Sequence, residues 1–276
     1  MAYPTIDKPY GYKPVNLIGG QVFSGSTRNY PISYAYSVNL FYGDPVTLTS
    51  GFIATQASAV STTNTIVGIF LGCSFTDPVT KQKRFSQYWP ASTLSGDAVA
   101  VVTDDPDTVF RAVAVAAAGS TTISSGSALL VGQNMAGTTL TTSGSTATGN
   151  SASGLVAAAA NASGGGFRVL GLVPDTQIST ACTYVSGGAP AATSVVVSGL
   201  AVGQVLPIGT DVYNLVSGQL QYTGSALSAA STVTTTGNTT LTVSAIGTQV
   251  AGTVVLIQSP EVLVKLNFSA HRYYVA

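Results

Sequence analysis

Short apolar runs broken by Gly, Pro, Asp and Ser recur along the whole chain. That pattern predicts strands joined by tight turns rather than helices. Residues 46–49 alternate after the Asp44-Pro45 turn, and Ser50-Gly51 turns the chain back into Phe52 and Ile53. Residues 66–72 form a continuous apolar strand. A turn over residues 76–81 leads into a strand ending at Tyr88 and Trp89, and residues 98–103 and 109–115 are two strands separated by the turn Asp104-Asp105-Pro106-Asp107. Residues 126–131 predict a further strand, and residues 167–173 echo the pattern of 66–72. Residues 194–198, 239–243 and 252–257 read as strands as well. At the C-terminus Val262, Val264, Leu266, Phe268 and Ala270 fall on one face, with Leu263, Lys265, Asn267, Ser269 and His271 on the other. That period of two predicts one half-buried strand running to His271.

Residues 43–53 and 209–220 share an order: Gly, turn, Val, apolar residues, Ser-Gly, apolar residue. Both predict a strand, a two-residue turn and a return strand. Low-complexity stretches at 138–153 and 225–240 are Thr-rich and flanked by strand signals, and are expected to be ordered β-structure.

These signals divide the chain into four parts. Residues 1–20 hold Pro4, Pro9 and Pro14 interleaved with Tyr3, Tyr10 and Tyr12, which predicts an extended N-terminal arm packing its tyrosines on a neighbouring subunit. Residues 21–113 hold most of the charge and an aromatic cluster including Tyr88 and Trp89, and form the first β-domain. Residues 114–178 plus 259–276 form a second β-domain closed by the C-terminal strand. Residues 179–258 carry Asp211 as their only charge and read as an inserted, projecting β-domain. The expected class is all-β, built of short-strand barrels or sandwiches. Tyr3, Tyr10, Tyr12, Tyr88 and Trp89 are the candidate interface residues.

Composition sharpens the picture. Ten Lys and Arg balance ten Asp and Glu among 276 residues, and Glu261 is the one glutamate. A typical domain is about a quarter charged, whereas this one is 7% charged. Helix surfaces have little material, and nothing draws the chain to nucleic acid or an anionic membrane. No apolar run reaches the roughly 18 residues of a membrane helix. The N-terminal residues lack an apolar signal core, so synthesis in a reducing cytoplasm is expected. Cys73 and Cys182 make no disulfide framework, and Cys73 reads as a small buried hydrophobe.

Candidate chemistry is sparse. His271 has no nucleophile or acid placed around it by spacing and is expected on the outer strand face. Asp104, Asp105 and Asp107 lack the pattern of a calcium loop and read as a turn. Lys81, Lys83 and Arg84 read as a solvated hairpin edge. The Gly164-Gly165-Gly166 run precedes a strand, not a helix, so it is no phosphate loop. No catalytic residues, cofactor or metal are expected.

Several segments resemble a head protein of marine tailed phages, of the capsid decoration (cement) type. They are residues 68–83, 85–90, 102–110, 167–173 and 261–267. The resemblance covers residues 1–178 and 260–276 and leaves 179–258 as an insertion on which it is silent. It implies a non-enzymatic virion protein, made in the host cytoplasm, that binds the outer surface of an icosahedral head. The partner would be the major capsid protein, contacted by the first β-domain, and a homotrimer is the favoured assembly. An alternative expectation is an adhesin or fibre-like protein binding host-surface glycans, with Tyr184, Tyr213 and Tyr222 of the insertion stacking on sugars. A secreted hydrolase fits poorly with one His and one Glu, and a major capsid protein would need a long amphipathic helix that the sequence lacks.

Overall fold

A computed structural model describes residues 6–56, 60–61, 65–137, 144–160, 165–187, 192–246 and 252–272. Tyr3 and residues 138–143, both the subject of expectations above, lie outside the described residues. The protein is all-β. Among the described residues, helical structure is confined to three 3₁₀ turns, Ala128–Leu130, Pro174–Thr176 and Phe268–Ala270. The first of these replaces the strand expected over residues 126–131. There the Ser127 side chain accepts from the Leu129 amide and caps a turn instead.

The strands run in chain order as Lys13–Leu17 (β1), Arg28–Pro31 (β2), Pro45–Thr49 (β3), Phe52–Thr55 (β4), Gly68–Thr76 (β5), Lys83–Ser86 (β6), Val99–Thr103 (β7), Thr108–Val115 (β8), Asn134–Gly137 (β9), Leu155–Ala160 (β10) and Phe167–Leu172 (β11). Then follow Ile178–Gly187 (β12), Ala192–Ser198 (β13), Val205–Leu206 (β14), Asp211–Val216 (β15), Gln219–Ala226 (β16), Ser231–Thr232 (β17), Asn238–Ile246 (β18), Thr253–Gln258 (β19) and Glu261–Leu266 (β20).

The first sheet runs β2-β7-β5-β3-β4, and a parallel bridge between Ile32 and Ile53 joins its two ends. The middle strand β5 is the continuous apolar run of the sequence, and Ile69, Phe70, Cys73 and Phe75 are buried along it. The core inside this sheet gathers Ile32, Val46, Ile53, Phe70, Trp89 and Val102. Among the described residues, strand β6 pairs only with β5 and extends it as a hairpin beyond the closed sheet.

The second sheet runs β8-β10-β9-β11-β20 and closes through the β20–β8 pairing into a five-stranded barrel. One edge of β8 is shared: β1 pairs with its first half and β10 with its last two residues. Two expectations are corrected here. Residues 13–17 are not a free arm, because they are a strand of this sheet. Residues 108–113 belong to the second barrel, because every ladder of β8 is with β1, β10 or β20.

Between β11 and β20 the chain makes its third sheet, β16-β15-β19-β12-β13-β18, with the ribbon β14–β17 beside it. Its own core contains Val195, Val197, Leu206, Leu227, Leu241 and Leu256. The two ends of this excursion meet at its root, where Leu172 pairs with Val262 and the Val173 amide donates to the Glu261 carbonyl at 3.1 Å.

The expected alternation of the C-terminus holds only through Leu266. Asn267 then starts a 3₁₀ turn, so Phe268 is turned out and half-exposed instead of joining the buried face. His271 is fully buried rather than on an outer face, because the backbone after that turn bridges to Ile66 of the first domain.

Candidate functional site

The interface expectation divides residue by residue. Tyr12 has 0% exposure and stacks on Phe167 with ring centroids 4.2 Å apart, while its hydroxyl donates to the Gly154 carbonyl at 2.7 Å. Trp89 is likewise fully buried, edge-on to Phe75 at 5.3 Å, with its indole N–H donating to the Tyr36 carbonyl at 3.3 Å. Both rings therefore fill cores of their own chain and are not available to a neighbouring subunit. Tyr88 is half-buried and stacks on Phe41 at 5.8 Å. Tyr10 is half-buried, and its hydroxyl donates to Glu261.

That last bond belongs to the first of four buried polar junctions. Glu261 opens β20 at 2% exposure and takes Arg111 of β8 on one carboxylate oxygen and Tyr10 on the other. Burial opposes its ionisation, but the Arg111 and Tyr10 bonds outweigh burial and hold the carboxyl below its ordinary value. Burial and the Glu261 carboxylate push the Tyr10 hydroxyl well above its own. One side chain thus ties the N-terminal segment, β8 and the root of the insertion together.

The second junction joins the two barrels. Asp44 is buried and accepts from the Ser151 hydroxyl at 2.5 Å, the Ser153 hydroxyl at 3.2 Å and the Phe41 amide at 2.8 Å. Burial pushes its carboxyl up to about 6 against those bonds. The third joins the second barrel to the insertion. Asp211 accepts from the Ser127 hydroxyl at 2.5 Å, the Ala128 amide at 2.8 Å and the Tyr222 hydroxyl at 3.2 Å. Burial raises this carboxyl too. At the fourth, the His271 ring nitrogen Nε2 donates to the Asp104 carbonyl at 3.0 Å, on the turn that links the barrels. Burial lowers the His271 pKa. Asp104 also takes Arg28 at 3.0 Å and Tyr30 at 3.0 Å.

Sequence reasoning passed over Asp44, Asp211, Arg111 and Glu261. A signal was present for two of them: Asp211 is the lone charge in residues 179–258, and Glu261 is the lone glutamate. An isolated charge in a neutral stretch points to a built partner, since burying it unpaired is costly.

The outer surface has a different character. Val79 and Phe85 of the β5–β6 hairpin are 85% and 84% exposed. The basic residues around them are largely matched: Lys83 with Asp97 at 2.9 Å and Arg84 with Asp77 at 2.9 Å. On the second barrel Ile18, Leu170 and Phe268 form an apolar patch with Arg168 and Lys265. A cleft of about 480 Å³ lies between this barrel and the insertion, lined by Leu130, Ala157, Ile208 and Leu227 with Gln133 and Ser244. The insertion's tyrosines are not open platforms. Tyr213 packs on Tyr222 at 5.0 Å, the Tyr222 hydroxyl is bonded to Asp211, and Tyr184 packs on the insertion core.

Comparisons with protein-family models, with curated proteins and with solved structures found no match.

Proposed function

We propose that this chain is a non-enzymatic structural protein of a phage particle that decorates and braces the outer surface of an icosahedral head, as a homotrimer, through contacts with the major capsid protein. The observation that carries the reading is the placement of the buried charged and titratable side chains. Asp44, Asp211, Glu261 and His271 each bond a segment distant in sequence and so hold barrels, N-terminal segment and insertion in one body. Bracing against load calls for such junctions, and a carboxylate bonded in a buried site resists displacement. The surface fits the same role. Charges are few, and the hairpin around Phe85 carries matched ion pairs. A low-charge surface repeated over a symmetric lattice avoids repeating the desolvation of unpaired charge at each contact.

The test is co-sedimentation of the purified protein with empty heads assembled from the co-encoded major capsid protein, with the protein's own mass taken by light scattering. A trimer that pellets with the heads supports the reading. A protein that stays in the supernatant sinks it. The glycan-binding alternative gains no support from the insertion, whose tyrosine rings pack on one another and on its core.

A further inference from the structure

The first and second barrels share one topology and most of their ladder rungs. Number the strands of each unit one to five: β2, β3, β4, β5 and β7 in the first, β8, β9, β10, β11 and β20 in the second. In both, strand one pairs in parallel with strand three, through Ile32 and Ile53 in the first and Ala114 and Leu155 in the second. In both, strand three pairs with two, two with four, four with five and five with one, all antiparallel.

The registers match as well. Phe70 pairs with Val102 and Gly72 with Val101, so Leu71 is an extra, bulged residue. Val169 pairs with Val264 and Gly171 with Leu263, so Leu170 is bulged at the same place, in the same Leu-Gly dipeptide. From that anchor the rungs of the other antiparallel ladders follow, except that β10 slips past Leu155 on β9: Met135 pairs with Ala160, whereas its counterpart Val46 pairs with Thr55 in an unbroken ladder. Val102 pairs with Arg28 as Val264 pairs with Phe110, and Ile69 pairs with Pro45 as Arg168 pairs with Asn134. The core positions coincide in turn. Ile32, Val46, Ile53, Phe70, Ala100 and Val102 are core residues of the first unit. Their counterparts Ala114, Met135, Leu155, Val169, Val262 and Val264 are core residues of the second. Bulges occur at particular positions for structural reasons and re-aim a strand, so a shared bulge, parallel closure and inward-facing set is a demanding coincidence for unrelated barrels.

We infer that the chain is a tandem repeat of a single five-stranded barrel unit, linked by the four residues 104–107, and that the β12–β19 module is an insertion in the connection between the unit's fourth and fifth strands. In the first unit that connection holds the β5–β6 hairpin with Val79 and Phe85. In the second it holds a body with its own core. The connection is the position at which the unit accepts new structure, because its ends meet across the Leu172–Val262 rung and the cost of closing it rises only slowly with its length.

The test is a graft in the full chain. By the register, Ser74 corresponds to Val173 and Ala98 to Pro260, so residues 173–260 are replaced by a copy of residues 74–98. A soluble chain with a β-type spectrum and a cooperative melt supports the repeat. Native-state hydrogen exchange on the unaltered protein decides the matter if the graft does not fold. Amides of β12–β19 opening separately from those of β11 and β20 support an inserted module. One shared opening for all of them, together with a graft that does not fold, overturns the inference.

Discussion

Asp44 and Asp211 occupy matching posts in different sheets. Each stands at the start of a hairpin, one or two residues after a glycine with positive φ: Asp44 follows Gly43 (90°) directly, and Asp211 follows Gly209 (82°) after Thr210. Each hairpin then turns on Ser-Gly with both residues at positive φ, Ser50-Gly51 and Ser217-Gly218. That is the requirement of the tight turn that matches strand twist. Each carboxylate reaches out of its own sheet to a serine of the second barrel at 2.5 Å. The same local device therefore fastens both neighbours of that barrel.

Asp44 gives the first expectation, in pH. Its folded pKa of about 6 lies above the ordinary 3.8. The folded state therefore binds the proton more tightly than the unfolded chain does. The contribution of Asp44 to stability is fully present below about pH 4 and is lost as pH rises through 6, a change of about 3 kcal/mol. In Asp44→Asn this slope should vanish while the Phe41 amide keeps an acceptor. Thermal melts from pH 4 to 7 on both proteins measure it, and equal slopes would refute the assignment.

Glu261 should act with the opposite sign. Its folded pKa is lowered, so its contribution is present above the unfolded value and is lost as pH falls through the folded one. Glu261→Gln keeps the shape but removes the charge that Arg111 faces. We expect a loss of about 2 to 3 kcal/mol near neutral pH, with Arg111 half-exposed and partly compensated by water. In chemical denaturation at pH 7, a change below about 0.5 kcal/mol would contradict the junction.

The local signals were legible where they depended on neighbours in sequence. Alternation and turn residues located β3, β4, β5, β7 and β8, and the matched Ser-Gly segments at 43–53 and 209–220 are the two hairpins β3–β4 and β15–β16. The echo between residues 66–72 and 167–173 marks the fourth strands of the two repeated units. What was not legible depended on distant contacts. Tyr12 sits in a proline-rich stretch that looks solvent-bound, yet its partner Phe167 lies far along the chain. Strand β8 follows the first domain without a break in composition, and only its ladders place it in the second barrel. His271 looks outward by alternation until the 3₁₀ turn at Phe268–Ala270 resets the phase.

Tyr12 separates an arm from a core residue. A tyrosine docked on a neighbouring subunit would leave monomer stability unchanged when removed. A fully buried ring stacked on Phe167 should cost about 3 to 5 kcal/mol on truncation to Ala. We expect Tyr12→Ala to lower the melting temperature at every protein concentration. A melting temperature that matches wild type at low concentration and falls behind only at high concentration would restore the arm.

Phe85 and Val79 should behave in the reverse way. Both are more than four-fifths exposed, and the ion pairs Lys83–Asp97 and Arg84–Asp77 beside them do not involve their side chains. Their joint replacement by Ser should leave stability within about 0.5 kcal/mol, as for ordinary surface positions. An exposed aromatic on a strand with an unshared edge is nevertheless a natural point of contact with another chain. If the hairpin meets the capsid, the double variant should pellet with empty heads several-fold less than wild type at unchanged stability. Equal pelleting would move the contact to another surface, and the apolar patch of Ile18, Leu170 and Phe268 would be the next to vary.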